Sequence, residues 1–219
     1  MHRLLLLFIG LCSSLVSPLA LAQENRFELS GSVGYTLSTG INVDRTIIGD
    51  FGFYGISPKS GLSYGAGLEL FVSRGWSVGF NWSQQDSVLK AEAFNDLNDR
   101  DITDMTVSNY HGIFTYNFGD EYMLMRPYIF GGLGATRYSP GKIDDLPVDG
   151  TTKFSSTWGG GMKVFLSDHL GFRGGIRWTP TYIGSTSDGF WCSWYYCWEV
   201  TEAHFSHQFE MIGGIIARF

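Results

Sequence analysis

The residues that could do chemistry fall into five groups. His204-Phe205-Ser206 sets a base two positions before a hydroxyl, the pair by which a histidine activates a serine as nucleophile. Cys192-x4-Cys197-x6-His204-x2-His207 has the spacing of zinc ligands. Glu28, Glu69, Lys163, Arg173, His111, Arg177 and Glu210 are single ionisable residues in otherwise uncharged stretches. Charges of that kind form a gate or proton path when they lie at membrane depth, or neutralise one another as a plug. Asp144, Asp145 and Asp149 could invite a divalent cation, although a solvated acidic loop is the plainer reading. Phe190, Trp191, Trp194, Tyr195, Tyr196 and Trp198 crowd around the cysteine pair, an aromatic density suited to surface contact.

Which of these chemistries is open depends on the elements that hold the residues. Of 219 residues, 17 are Phe, 11 Tyr and 7 Trp, 29 are Gly, and 16% are charged. Soluble domains carry roughly 25% charged residues and about 7% Gly, so helical bundles, coiled coils and disordered tails fit poorly. The net charge of -6 offers no basic footprint for nucleic acid, which is excluded as a partner.

Met1, His2 and Arg3 precede an apolar run from Leu4 to Leu11, and Ala20 and Ala22 flank Leu21 just before Gln23. This pattern predicts a secretory signal peptide over 1–22, cleaved to leave a single domain over 23–219. The run is too short for a membrane anchor, which needs about 20 residues. Cys12 leaves with the leader, and export favours a disulfide between Cys192 and Cys197.

After Gln23 the period is two. Phe27, Leu29, Val33, Tyr35 and Leu37 alternate with Glu28, Ser30, Ser32 and Thr36. The pattern repeats over Leu62 to Val72, Trp76 to Trp82, Asn109 to Phe118, Phe154 to Leu166, Leu170 to Trp178 and His204 to Phe219, with Ile113 an apolar intruder on the polar face. A Gly-rich segment, Pro127 to Tyr138, has ambiguous parity. That makes eight strands of about 9 to 15 residues, each long enough to cross a bilayer when tilted. The aromatic faces of eight strands would overfill a narrow lumen, so they must face lipid and the Gly, Ser and charged faces must line the inside.

The connections alternate in length: 38–60 long, 73–75 short, 84–105 long, 119–126 medium, 139–152 long, 167–169 short and 179–201 long. Short periplasmic turns and long outer loops have this rhythm, with both termini periplasmic and no open sheet edge. The expected fold is all-β, a closed eight-stranded antiparallel transmembrane barrel of up-and-down topology. Val88 to Leu97, in the second long loop, could form a short surface helix.

Counting residues up from the periplasmic end puts Glu28, Glu69, Lys163 and Arg173 in a low layer, and His111, Arg177 and Glu210 at mid-membrane height. A plug is the expected role, because half-paired buried charge is costly and pairing relieves it. His204 and His207 have opposite parity in the last strand, which argues against zinc; neither a metal nor a cofactor is expected. The aromatic residues of the fourth outer loop have two readings, recognition of a surface partner or an aromatic girdle at the membrane boundary.

Phe209, Met211, Ile215 and the terminal Phe219 resemble the C-terminal signal of bacterial outer-membrane barrels, whose last aromatic residue is read by the barrel-assembly machinery. With Pro127-Tyr128-x-x-Gly131-x-Leu133-Gly134 and Phe165-Leu166-Ser167-Asp168-His169-Leu170-Gly171-Phe172-Arg173, the chain resembles the OmpA/OmpX-type eight-stranded barrels from Arg26 to Phe219. The resemblance implies residence in the bacterial outer membrane, among lipid and lipopolysaccharide. It specifies fold and location far more than activity, and no peptidoglycan-binding domain follows the barrel. His204-Phe205-Ser206 is similar to the His-x-Ser element of outer-membrane lipid A deacylases, but His207 stands where that family has Asn. Glu210, about 13 Å from Ser206 along the strand, is poorly placed to orient His204. The expected role is structural or interactive at the cell surface and not enzymatic. A narrow porin-like channel is the first alternative and a lipid A acyl hydrolase the second.

Overall fold

The structure is a computed structural model that describes residues 27–39, 41–48, 51–93, 100–120, 123–143, 146–147, 149–183, 191–192, 197–198 and 204–219. The expected leader over 1–22 lies outside the described residues, as do Asp144, Asp145, Phe190, Trp194, Tyr195 and Tyr196.

The elements in chain order are β1 (Phe27–Ser38), β2 (Ile41–Ile48), β3 (Phe51–Pro58), β4 (Gly61–Ser73), β5 (Trp76–Ala93), β6 (Arg100–Asn117), β7 (Met125–Pro140), β8 (Lys142–Ile143), β9 (Leu146–Pro147), β10 (Thr151–Phe165), β11 (Leu170–Ile183), β12 (Trp191–Cys192), β13 (Cys197–Trp198) and β14 (His204–Arg218). Eight of them, β1, β4, β5, β6, β7, β10, β11 and β14, pair antiparallel with their neighbours in the chain. β1 pairs with β14, so the sheet closes on itself. Closure gives each of these eight strands two partners and removes the edges that hydrocarbon cannot solvate.

The seam between the first and last strands is a continuous ladder from Glu28 opposite Arg218 to Ser38 opposite Gln208. Reciprocal bonds of 2.9 Å between Phe27 and Phe219 lock its end. Phe27 and Phe219 therefore sit with the short turns. One of these, Arg74–Gly75, needs its glycine, because Gly75 has φ of 86°.

Alternation decides which side chains face where. Val33, Leu62, Leu68, Phe80, Phe114, Phe172, Phe209 and Ile215 all point outward and are exposed, while Glu28, Ser63, Glu69, Ser77, Thr115, Lys163 and Glu210 point inward and are buried. A protein with this inversion needs an apolar solvent, and a bilayer supplies it. β7, whose parity the sequence leaves ambiguous, turns Arg126, Tyr128, Phe130, Thr136 and Tyr138 inward and Ile129 and Leu133 outward.

Two features differ from the sequence expectation. Val88 to Ala93 form no helix but continue β5 as strand. β5 and β6 each run for 18 residues and β7 for 16, longer than the 9 to 15 expected. Above the barrel rim β5 pairs on one side with β6 and on the other with β3, while β2 pairs with β3. Strand partners on both sides outweigh the weak local preference of Val88–Ala93 for helix. The long connections also hold structure of their own: the β2–β3 hairpin, the β8–β9 pair and the β12–β13 pair.

Candidate functional site: the barrel lumen

At the short-turn end, β1, β4, β10 and β11 bring Glu28, Glu69, Lys163 and Arg173 together. Lys163 bonds Glu28 and lies 3.6 Å from Glu69, and Arg173 reaches Glu69 at 3.6 Å. The ladders explain this. Glu28 faces Glu69 directly across β1–β4, and Lys163 faces Arg173 directly across β10–β11, so like charges are neighbours within each pair of strands. Across the lumen the two carboxylates meet the two cations.

Two further arginines join this floor. Arg218 donates to Glu28 at 3.0 Å from Nη2 and 3.2 Å from Nε, and Arg126, opposite Lys163 at the base of β7, is buried. The alternation of the last strand puts Arg218 on the inner face, so its place was readable in the sequence; Arg126 was hidden by the ambiguous parity of β7. The cations also cover aromatic rings that point inward. Arg218 lies 3.6 Å over Phe165, Arg173 5.0 Å over Tyr128, and Lys163 5.4 Å over Tyr128 and 5.7 Å over Phe71. Such contacts strengthen as water is excluded. Ser77 donates to Glu69 at 2.7 Å, and Arg173 donates to Ser30 and Tyr128 at 3.2 Å each.

Midway along the lumen Arg177 and Glu210 stand opposite each other on β11 and β14. Arg177 Nε donates to Glu210 Oε2 at 2.8 Å, and its other nitrogens reach Glu210 and Asn81. Ser63 donates to Glu210 Oε1 at 2.6 Å. His111 lies at this height without joining the pair; its Nε2 meets Ser155 Oγ at 2.9 Å. From Ser155 a hydrogen-bonded set runs through Thr136 to Asn109, and from Asn109 to Gln208 and Ser83. Thr181 donates to Thr136 at 3.2 Å. Uncharged hydroxyls and amides thus fill the lumen above the ion pair.

The long-loop end of the lumen is apolar. Leu89, Met105, Val107, Tyr138 and Ile183 are buried there at 1% exposure or less. Sequence reading missed this cap because β5 and β11 were ended before Leu89 and Ile183. The layers are therefore an ionic and aromatic floor, a polar middle with one ion pair, and an apolar cap. Inward glycines make the room: a Cβ on Gly159 would lie 2.6 Å from Phe130 Cζ, and one on Gly175 2.8 Å from the Tyr128 hydroxyl.

Ser206 points into this lumen and is 1% exposed, and Glu210 is committed to Arg177. The side chain of His204 lies outside the described residues. Phe209, Met211, Ile215 and Phe219 form one outward row along β14. In the β12–β13 pair Cys192 stands directly opposite Cys197, and Trp191 opposite Trp198. Asp149 is exposed. Among the described residues no three of His, Cys, Asp and Glu group as a metal site would require.

The family model described as outer membrane protein beta-barrel domain matches residues 5–191. No curated protein matches the chain by sequence. Among solved structures, Neisserial surface protein A is similar over 88% of this chain and 97% of its own, with a TM-score of 0.56 and 11% identity. The outer membrane protein OprG of Pseudomonas aeruginosa matches over 89% of this chain and 96% of its own, at TM-score 0.57 and 13% identity. The outer membrane protein AlkL, solved in lipid bilayers, matches over 92% of this chain and 94% of its own, at TM-score 0.52 and 15% identity. At these identities the likeness establishes the fold.

Proposed function

Because this chain belongs to the outer membrane β-barrel domain family and resides in the bacterial outer membrane, we propose that it is a closed, non-conducting barrel whose work is done at the cell surface. The short-turn end faces the periplasm and the loops carry the contacts. One observation carries the closed lumen: Lys163, Arg173, Arg177, Glu28, Glu69 and Glu210 are each 7% exposed or less and bonded to one another, beneath an apolar cap. An apolar constriction stops ions by dewetting, and an ion pair below it removes the net charge that would draw an ion in. The ion pairs also fix strand register, since a one-residue slip would turn every charge to lipid.

Planar-bilayer recording tests the reading. Featureless traces are the expected result, and discrete conductance steps that change on replacing Arg177 or Glu210 would establish the channel in its place. A lipid acyl hydrolase is disfavoured because its nucleophile, Ser206, is sealed inside the lumen. Release of fatty acid from lipopolysaccharide by the wild type, lost in Ser206→Ala, would reverse that judgement.

Three further assignments belong to the same reading. Residues 1–22 act as a cleaved leader, so the mature protein begins at Gln23. Phe209, Met211, Ile215 and Phe219 present the assembly signal, supported by their shared outward row. Cys192 and Cys197 form a disulfide that braces the aromatic fourth outer loop, with Trp191, Trp194, Tyr195, Tyr196 and Trp198 as contact residues for a surface partner. Directly opposed antiparallel positions have Cα atoms about 4.5–5.5 Å apart, within the span a disulfide bridges. Non-reducing peptide mapping that finds both thiols free would remove the bridge.

A further inference from the structure

The lipid-facing wall is not evenly studded with side chains. On one side a groove of about 320 Å³ lies between Tyr35 on β1, Phe209 and Met211 on β14, Ile176 and Trp178 on β11, and Trp158 on β10. The ladders place these residues in two rows. Phe209 is level with Trp178 and Trp158, and Met211 is level with Tyr35 and Ile176. In the next row toward the floor, Gly213 pairs directly with Gly174. A Cβ on Gly213 would meet nothing within 4 Å, and one on Gly174 only the Ile212 carbonyl at 3.9 Å. Neither glycine serves a turn or a tight packing contact with the protein. Glycine weakens a strand interior, and one of its uses there is to let another molecule approach the backbone.

Just beyond the groove, on its loop side, stands a polar residue. His207 is the next outward residue above Phe209. Its backbone is held by Thr39, with His207 N–H donating to Thr39 Oγ1 at 3.0 Å and its carbonyl accepting from Thr39 N–H at 2.9 Å. Its ring stacks between Trp178 and Phe205, and its Nδ1 accepts from Trp178 Nε1–H at 3.3 Å. A neutral imidazole whose Nδ1 accepts carries its proton on Nε2. That Nε2 has no hydrogen-bond partner among the described residues. Gly213 lies six positions beyond His207, about 20 Å along the strand.

We infer that this trough holds one acyl chain of an outer-leaflet lipid, with a phosphate oxygen of that lipid accepting from His207 Nε2–H. The trough is continuous with the lipid-facing wall, so lipid is what covers it. His207 stands at the loop end, the level of the outer headgroups, and the lining below it is mainly aromatic and aliphatic. An amphiphile with one phosphate and a straight chain has that same distribution. The inference rests on the loop end facing outward and not on the closed lumen, so bilayer recordings and lipid binding can fail separately.

Native mass spectrometry of the detergent-purified protein tests it, with dimyristoyl phosphatidic acid as probe and dimyristoylglycerol as the same chains without phosphate. The wild type should retain one phosphatidic acid and prefer it over dimyristoylglycerol by roughly tenfold, the size expected of one hydrogen bond to a charged group. His207→Phe keeps an aromatic ring in the stack and should lose that preference while still binding dimyristoylglycerol. The double variant Gly174→Leu/Gly213→Leu adds side chains where a Cβ meets no protein atom closer than 3.9 Å, and should weaken both lipids by roughly tenfold or more. If circular dichroism shows that the double variant does not fold, His207→Phe decides. Equal retention of the two lipids by the wild type, a preference unchanged in His207→Phe, undiminished binding by a folded double variant, or a dimer in place of the lipid-bound monomer would each overturn the inference.

Discussion

Glu210 receives Arg177 from one side and Ser63 from the other, and this arrangement sets what single substitutions should cost. Glu210→Ala leaves Arg177 buried without its carboxylate, and urea unfolding in lipid vesicles should show a loss of about 3–5 kcal/mol. Arg177→Met with Glu210→Leu removes both charges and should recover most of that loss, since apolar replacement of a buried pair is often neutral. A double variant as unstable as Glu210→Ala would mean that the pair does more than cancel charge. Gly159→Val would press a side chain on the Ile176 carbonyl and the Phe130 ring, and should cost about 1–3 kcal/mol or more in the same assay. At this scale the direction of a side chain is legible in the sequence and its partner is not. Strand parity sends His111 and Arg218 inward, yet nothing local says that His111 meets Ser155 on β10 or that Arg218 shares Glu28 with Lys163.

Each barrel strand is a two-sided object, and its two sides should respond oppositely to charge. Leu68 on β4 is exposed on the outer wall, next along the strand to the buried Glu69. Leu68→Arg should destabilise the folded barrel in vesicles by about 1–2 kcal/mol, between the cost of a cation at the bilayer midplane and at its interface. A loss below about 1 kcal/mol would place Leu68 near an interface instead. Strand ends were harder to read than strand faces. On β5 the outward residues change from Trp82 to Gln84 and Asp86 where the strand leaves the lipid, so the alternation fades although the strand continues to Ala93. Alternation reports the solvent on either side of a strand; it stops reporting where both sides meet water. There β3 and β6 supply the hydrogen bonds that keep β5 extended.

As a whole, the molecule is a wall of apolar side chains around stacked layers of ionic, polar and apolar filling. Val107→Asp places a charge in the apolar cap, and combined with Arg177→Gln and Glu210→Gln it should hydrate the upper lumen. Planar-bilayer traces of that triple variant should then show steps that the wild type lacks, whereas silence would mean that the floor alone seals the barrel. The sequence by itself determined the strand count, the up-and-down order, the outward face of seven strands and the membrane address. Those follow from the two-residue period and from lipid being the only solvent for so many aromatic residues, both local properties of the chain. Tertiary structure alone decided the inward face of β7, the meeting of Glu28 and Glu69 with Lys163 and Arg173 across the lumen, the apolar cap and the trough beside His207. Each depends on which strands closure and register bring level with one another, and a strand's own pattern does not record the height of its neighbour.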